Sequence, residues 1–230
     1  MTSIRIPQSA GHATVKPAQG RTALQRLLLI AGMLSSVVYV SVDLISALRY
    51  PGYSLLNQAI SELSAIGSPT ANLWSAMGAM YGVFIVAFAF GILRAAGGNH
   101  ALRRTGALIL LFAAANVFWR IVPMHPRGTE ITWQDTGHLV MGAVMIVLIL
   151  AFIGAGAFAL GRRFRRYSFA TLAVFLMTGL ATFAYVSPMA AGEPTPWLGV
   201  VERVSIYGYL LWVAVLSVTL LRHTRRGTGA

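Results

Sequence analysis

The stretch HLVMGAVMIVLILAFIGAGAFALGRRFRR, residues 138–166, decides the fold. Its first 23 residues contain no Asp, Glu, Lys or Arg, and four arginines fall within the next six. A helix needs about 20 mostly apolar residues to cross the hydrocarbon core of a bilayer. Backbone polar groups must then be satisfied inside the segment itself, which a helix does. Residues 138–160 meet both conditions. Arg162, Arg163, Arg165 and Arg166 mark the end of that span as the one retained in the cytoplasm.

Outward from this segment, the same criterion picks out 27–47, 72–93, 105–122, 168–188 and 204–221. The chain of 230 residues is 57% hydrophobic and 10% charged, so six spans leave no room for a folded soluble domain. The expected fold is all-α: a polytopic membrane bundle of six transmembrane helices, arranged as three hairpins. The first apolar run is too long for the core of a signal peptide and reads as a retained span. Residues 1–23 are polar, contain Pro7 and Pro17, and read as a disordered cytoplasmic tail. Residues 24–222 form the membrane domain, and 223–230 a second cytoplasmic tail.

Charge sets the expected orientation. Fourteen of the 18 basic residues lie in the tails and in the loops after the second and fourth spans. All six acidic residues, Asp43, Glu62, Glu130, Asp135, Glu193 and Glu202, lie at or near the opposite ends of the spans. Arg49, Arg120, Arg127 and Arg203 share that side. The positive-inside rule then predicts N-in, C-in topology in the cytoplasmic membrane. The formal charge of +12 does not imply nucleic acid, because no basic face exists apart from these flanks. Anionic lipid headgroups are the expected partners of the arginines. The chain has no cysteine, which excludes disulfides, thiol catalysis and cysteine-ligated metals.

The outer halves of the spans carry the polar residues. An ionisable group inside a span costs roughly 2.5–3.5 kcal/mol on insertion scales and faces the bundle interior with a partner. Ser36, Tyr39, Asp43 and Ser46 share one helix face by their spacing. Asn116 and Arg120 form a second stripe, Thr178, Thr182 and Tyr185 a third, and Glu202, Ser205 and Tyr209 a fourth. Residues 54–66, SLLNQAISELSAI, plot as a short amphipathic helix, with Ser54 as N-cap and Gly67 as stop. The expectation is an outward-facing polar cavity lined by Asp43, Arg120, His138 and Glu202. The helix bearing Ser61 and Glu62 would roof it, with Arg203 at the same depth. Arg120 is expected to pair with Asp43, Asp135 or Glu202.

Three uses of this cluster remain open. It could bind a small polar or lipid-headgroup ligand. Its residues could instead be ion pairs that tie the hairpins of an accessory protein together. It could also be an outer-leaflet hydrolase, with Ser61 as nucleophile and the Asp135–His138 pair, three residues apart, as orienter and base. His125 and His138, with Glu130 and Asp135, are candidate zinc ligands. Neither spacing is specific, and no Gly-x-Ser-x-Gly, His-Glu-x-x-His or phosphate-binding glycine loop is present. No organic cofactor is expected.

Three segments together resemble a known family: YPGYSLLNQAISELSAIGSPTANLW (50–74), the loop from Pro123 to the Asp135–His138 helix start, and GVVERVSIYGYLLWVAVL (199–216). They look like the bacterial and archaeal membrane family known as domain of unknown function 998, over about residues 25–221. The resemblance implies a polytopic membrane protein without an assigned activity. It supplies no catalytic residues, and it singles out Ser61, Glu62, His138, Glu202 and Arg203.

Overall fold

The computed structural model describes residues 19–226. Seven α-helices and two 3-10 segments are present, and no strand occurs among the described residues. The helices are α1 (Gln19–Arg49), α2 (Ala71–Ala95), α3 (His100–Ala115), α4 (Trp133–Ala157), α5 (Arg162–Phe183), α6 (Val186–Ala190) and α7 (Leu198–Arg226). Six stretches are long and apolar enough to cross a membrane: Ala23–Arg49, Ala71–Ala95, His100–Arg120, Trp133–Ala157, Arg162–Phe183 and Leu198–Thr224. These are the six expected spans.

The helices overrun the apolar segments that predicted them. α5 begins at Arg162, so the four arginines form its first turn and not a loop. Arginine is a good helix former, and its long side chain lets the charge reach past the apolar boundary. At the other end the expected span to residue 188 breaks after Phe183 and resumes as α6. Pro188 accounts for the break: it has no N–H to give Ala184, and its ring crowds that carbonyl. α1 starts at Gln19 and α7 runs to Arg226, so helix covers parts of both expected tails. The rest of those tails, 1–18 and 227–230, lies outside the described residues.

Each long helix packs on its neighbours in chain order, and α7 packs back on α1. The result is a closed ring: α1, α2, α3, α4, α5, α7. Three long connections, 50–70, 121–132 and 184–197, gather at one end of it; two short ones, 96–99 and 158–161, lie at the other. At the short-loop end the helices approach closely. A Cβ on Gly91 would lie 3.0 Å from the Leu28 backbone, one on Gly32 2.6 Å from the Phe88 ring, and one on Gly156 2.5 Å from Trp212. Leu29, Phe88, Ile92, Ile109, Phe152, Ile153, Trp212 and Leu216 fill the core there. Trp212 donates from Nε1 to Ser168 Oγ at 2.8 Å, which satisfies its one polar atom inside that core.

The outside of the ring is apolar. Leu27, Leu48, Leu111, Val147, Leu180 and Leu211 are all more than half exposed. Large side chains of this kind, all round a bundle, belong against hydrocarbon and not water.

Residues 54–66 depart from expectation. Only Ile60–Ser64 is helical, as one 3-10 turn. Of the segment's apolar residues, Ala59, Ile60 and Leu63 are buried and Leu55, Leu56 and Ile66 exposed, and Glu62 on the polar side is buried. The reason lies in where the backbone groups bond. Glu62 Oε1 takes Ala59 N at 2.9 Å, and Glu202 Oε2 takes Ile60 N at 2.6 Å. The carbonyls of Leu55 and Gln58 accept from Arg203, that of Ala59 from Tyr53, and that of Asn57 from Thr195. With buried donors and acceptors satisfied from outside the segment, a regular i→i−4 ladder is not needed. The turn is bounded by Ala59 and Ala65, so Ser54 and Gly67 do not cap a helix and serve the flanking turns instead. Ser54 Oγ accepts from Asn57 N, and Gly67 takes a left-handed turn with φ of 79°.

Candidate functional site

The first long loop is strapped down over the long-loop end by two ion pairs. The first is buried. Arg203 of α7 donates from Nε to Asp43 Oδ2 at 2.9 Å and from Nη2 to Asp43 Oδ1 at 2.8 Å. Asp43, on α1, is fully buried, and Tyr207 donates a further hydrogen bond to it. Such a two-pronged geometry suits a guanidinium and a carboxylate better than any other pair of side chains. The remaining Arg203 hydrogens go to the Tyr53 hydroxyl at 2.8 Å and to the Leu55, Gln58 and Gly199 carbonyls. Burial raises the Tyr53 phenol well above its ordinary pKa. It stays a neutral hydroxyl that accepts from Arg203 and donates to Ala59 O at 2.8 Å.

The second strap joins all three long loops. Arg127 donates from Nε and Nη2 to the two oxygens of Glu62, and from Nη1 to Thr195 Oγ1 at 3.2 Å. The hydrogen bond with Glu62 raises the Arg127 pKa further above its usual value, so the cation is permanent. Ile66 N reaches Met124 O at 2.9 Å, and Gly128 and Gly192, both at positive φ, let the second and third loops touch.

Below this lid the ring encloses a cavity of about 800 Å³, to which every long helix contributes. Its floor is aromatic. The Tyr39 ring meets Trp74 and Tyr81 edge-on, and the Tyr209 ring meets Phe112 and Phe175 likewise. Its upper wall is polar: Ser61, Ser64, Asn116, Arg120, His138, Thr182, Glu202 and Ser205 all line it. Glycines widen it, because a Cβ on Gly78, Gly82, Gly142 or Gly179 would meet nothing within 4 Å. α2 and α3 are close at the short-loop end, where Gly106 lies against Leu93, and both line the cavity at the long-loop end.

The residues expected at one site are therefore divided. Ser61, Arg120, His138 and Glu202 line the cavity. Asp43, Glu62 and Arg203 are not among its lining residues and serve the straps. The stripes Asn116–Arg120 and Glu202–Ser205–Tyr209 face the cavity in full. Arg120 does not pair with Asp43, Asp135 or Glu202; it is exposed and within 4 Å of no carboxylate among the described residues. Asp43 is taken by Arg203, which the polar stripe on α7 did not include because Arg203 lies one residue off it.

The expected Asp135–His138 pair does not form. Asp135 caps α4, taking Thr132 N at 2.9 Å, and accepts from His125 N at 2.8 Å, with His125 Nδ1 2.9 Å from Oδ2. His138 instead holds the Val122 carbonyl from Nδ1 at 3.0 Å and meets the Trp119 ring at a tilt, 4.6 Å between centroids. A carbonyl only accepts, so Nδ1 carries the hydrogen and Nε2 keeps a lone pair. No hydrogen bond joins Ser61 to His138 among the described residues. No group of three His, Asp or Glu side chains gathers among the described residues; His125 Nδ1 meets Asp135 and His138 Nδ1 the Val122 carbonyl. Arg127, Tyr53 and Tyr207 were missed. The one signal available was Tyr207, four residues after Arg203 and so on the same face of α7.

Six apolar spans, closed in a ring and lidded at one end, define a multi-pass membrane protein. A family model described as "Protein of unknown function (DUF998)" matches residues 13–219. The chain belongs to that family, as the resemblance of segments 50–74, 123–138 and 199–216 implies. No curated protein and no solved structure matches it.

Proposed function

We propose that the protein binds one amphiphilic molecule drawn from the membrane. The polar part sits under the lid and the apolar part on the aromatic floor. The observation that carries this reading is the cavity itself. It is about 800 Å³, polar at one end and apolar at the other, and lies inside a ring of spans. Cavities of about 300–1,000 Å³, mostly apolar with a few placed polar groups, are the usual form of small-molecule sites. The catalytic reading is weaker. Ser61 lacks a base in contact, and the carboxylate expected to orient His138 is turned to His125.

The test is saturable binding of a radiolabelled lysophospholipid to the purified protein in nanodiscs. One molecule per chain is expected. The variant carrying Gly82→Phe and Gly142→Phe, which fills open space, should lose it while keeping its melting temperature. Equal binding by the filled variant would sink the reading.

A further inference from the structure

Almost every charge at the long-loop end is accounted for. Asp43 is paired with Arg203, Glu62 with Arg127, and Asp135 with His125 and the α4 cap. Arg49, Glu130 and Glu193 are exposed and do not line the cavity. Two charged side chains remain, and both face the cavity: Arg120 and Glu202. Their signs are opposite, yet they are not within 4 Å of each other. The ring explains why. α3, which leads into Arg120, stands opposite α7, which carries Glu202, with two helices between them on either side. The two charges sit on facing walls.

Each has capacity to spare. The Arg120 guanidinium donates no hydrogen bond among the described residues. Glu202 uses Oε2 to hold Ile60 N at 2.6 Å, and its Oε1 has no hydrogen-bond partner among the described residues. Charging an unpaired ionisable group in a largely apolar chamber is costly, and a complementary ligand charge offsets that cost. An anionic headgroup would satisfy Arg120 but face Glu202. A cationic one would do the reverse. A head bearing both signs satisfies both walls.

Building on the amphiphile reading above, we infer that the occupant is zwitterionic: a protonated amine against Glu202 and a phosphate or carboxylate against Arg120. The anion can take two parallel N–H bonds from the guanidinium. The ammonium has three hydrogens, for Glu202 Oε1 and acceptors on the same helix such as the Ser205 hydroxyl, which also lines the cavity.

Four probes separate the possibilities in the same nanodisc assay: lysophosphatidylethanolamine, lysophosphatidic acid, a dodecyl amine, and free phosphoethanolamine. The expected result is that lysophosphatidylethanolamine binds about ten-fold or more tightly than either singly charged amphiphile, the scale of one charged hydrogen bond. Glu202→Gln keeps an oxygen for Ile60 N, so the lid stays capped, and it should erase the preference over lysophosphatidic acid. Arg120→Gln removes a guanidinium with no hydrogen bond or ion pair to lose among the described residues, and it should erase the preference over the amine. If lysophosphatidic acid binds as well as the zwitterion, and Glu202→Gln changes nothing, the headgroup inference fails while the amphiphile reading stands. If free phosphoethanolamine binds as tightly as its chain-bearing form, the headgroup inference holds and the amphiphile reading fails. Absence of saturable binding by all four overturns both.

Discussion

At the scale of single residues, the Asp43–Arg203 pair governs the lid. The two lie 160 positions apart in sequence, on the first and last spans. Asp43→Ala would leave a guanidinium with 8% exposure without its counter-charge. Removing one partner of a buried pair costs about 3–5 kcal/mol. The expected outcome is a lower melting temperature in detergent and easier proteolysis of the 50–70 loop. Tyr207→Phe removes one hydrogen bond to the same carboxylate and should cost less, about 1.5–3 kcal/mol. Melting curves of the two variants check the order. The sequence marked Asp43, Glu202 and Arg203 as special because ionisable groups near spans are expensive. It did not reveal who pairs with whom. Pairing across 65 or 160 residues depends on how helices rotate in the ring, and no local spacing records that. Arg127 was overlooked for the same reason, since a loop cation has no periodicity to give it a face.

At the scale of elements, the glycines divide into two kinds. Gly32, Gly91 and Gly156 sit where helices touch, and a Cβ would press into a ring or a backbone. Gly82 and Gly142 border open space. Gly156→Leu must displace Trp212 and should destabilise by about 1–3 kcal/mol or more. Gly82→Leu meets no atom nearby and should fold with wild-type stability. A thermal-shift comparison of the two, in one detergent, is the check, and equal losses would contradict the packing described. The six spans were legible because hydropathy over 20 residues is a strong signal, and their ends were not, because polar helix formers continue the turn. The 54–66 segment misled for a physical reason. Its amphipathic pattern was real, but Tyr53, Arg203, Thr195 and Glu202 bond its backbone from outside.

At the scale of the whole molecule, the arginines of Arg94, Arg103, Arg104 and the α5 start belong to the end of the ring with short loops. Under the positive-inside rule that end faces the cytoplasm. Reporter fusions near residues 98 and 164 should be cytoplasmic, and fusions near 65, 128 and 194 external. A single inverted loop would overturn that orientation, and with it the placing of the lid outside. The ring has one more consequence. Because neighbours in sequence are also neighbours in space, and α7 returns to α1, no link at the short-loop end is needed to specify the order of the helices. A chain severed between Gly97 and Gly98 gives two pieces, one a self-contained hairpin of α1 and α2, whose partners can be recognised by side-chain fit alone. Co-expressed, the two pieces should find each other in the bilayer and co-purify as an intact protein, whereas a cut at residue 57, inside the strapped lid, should not heal.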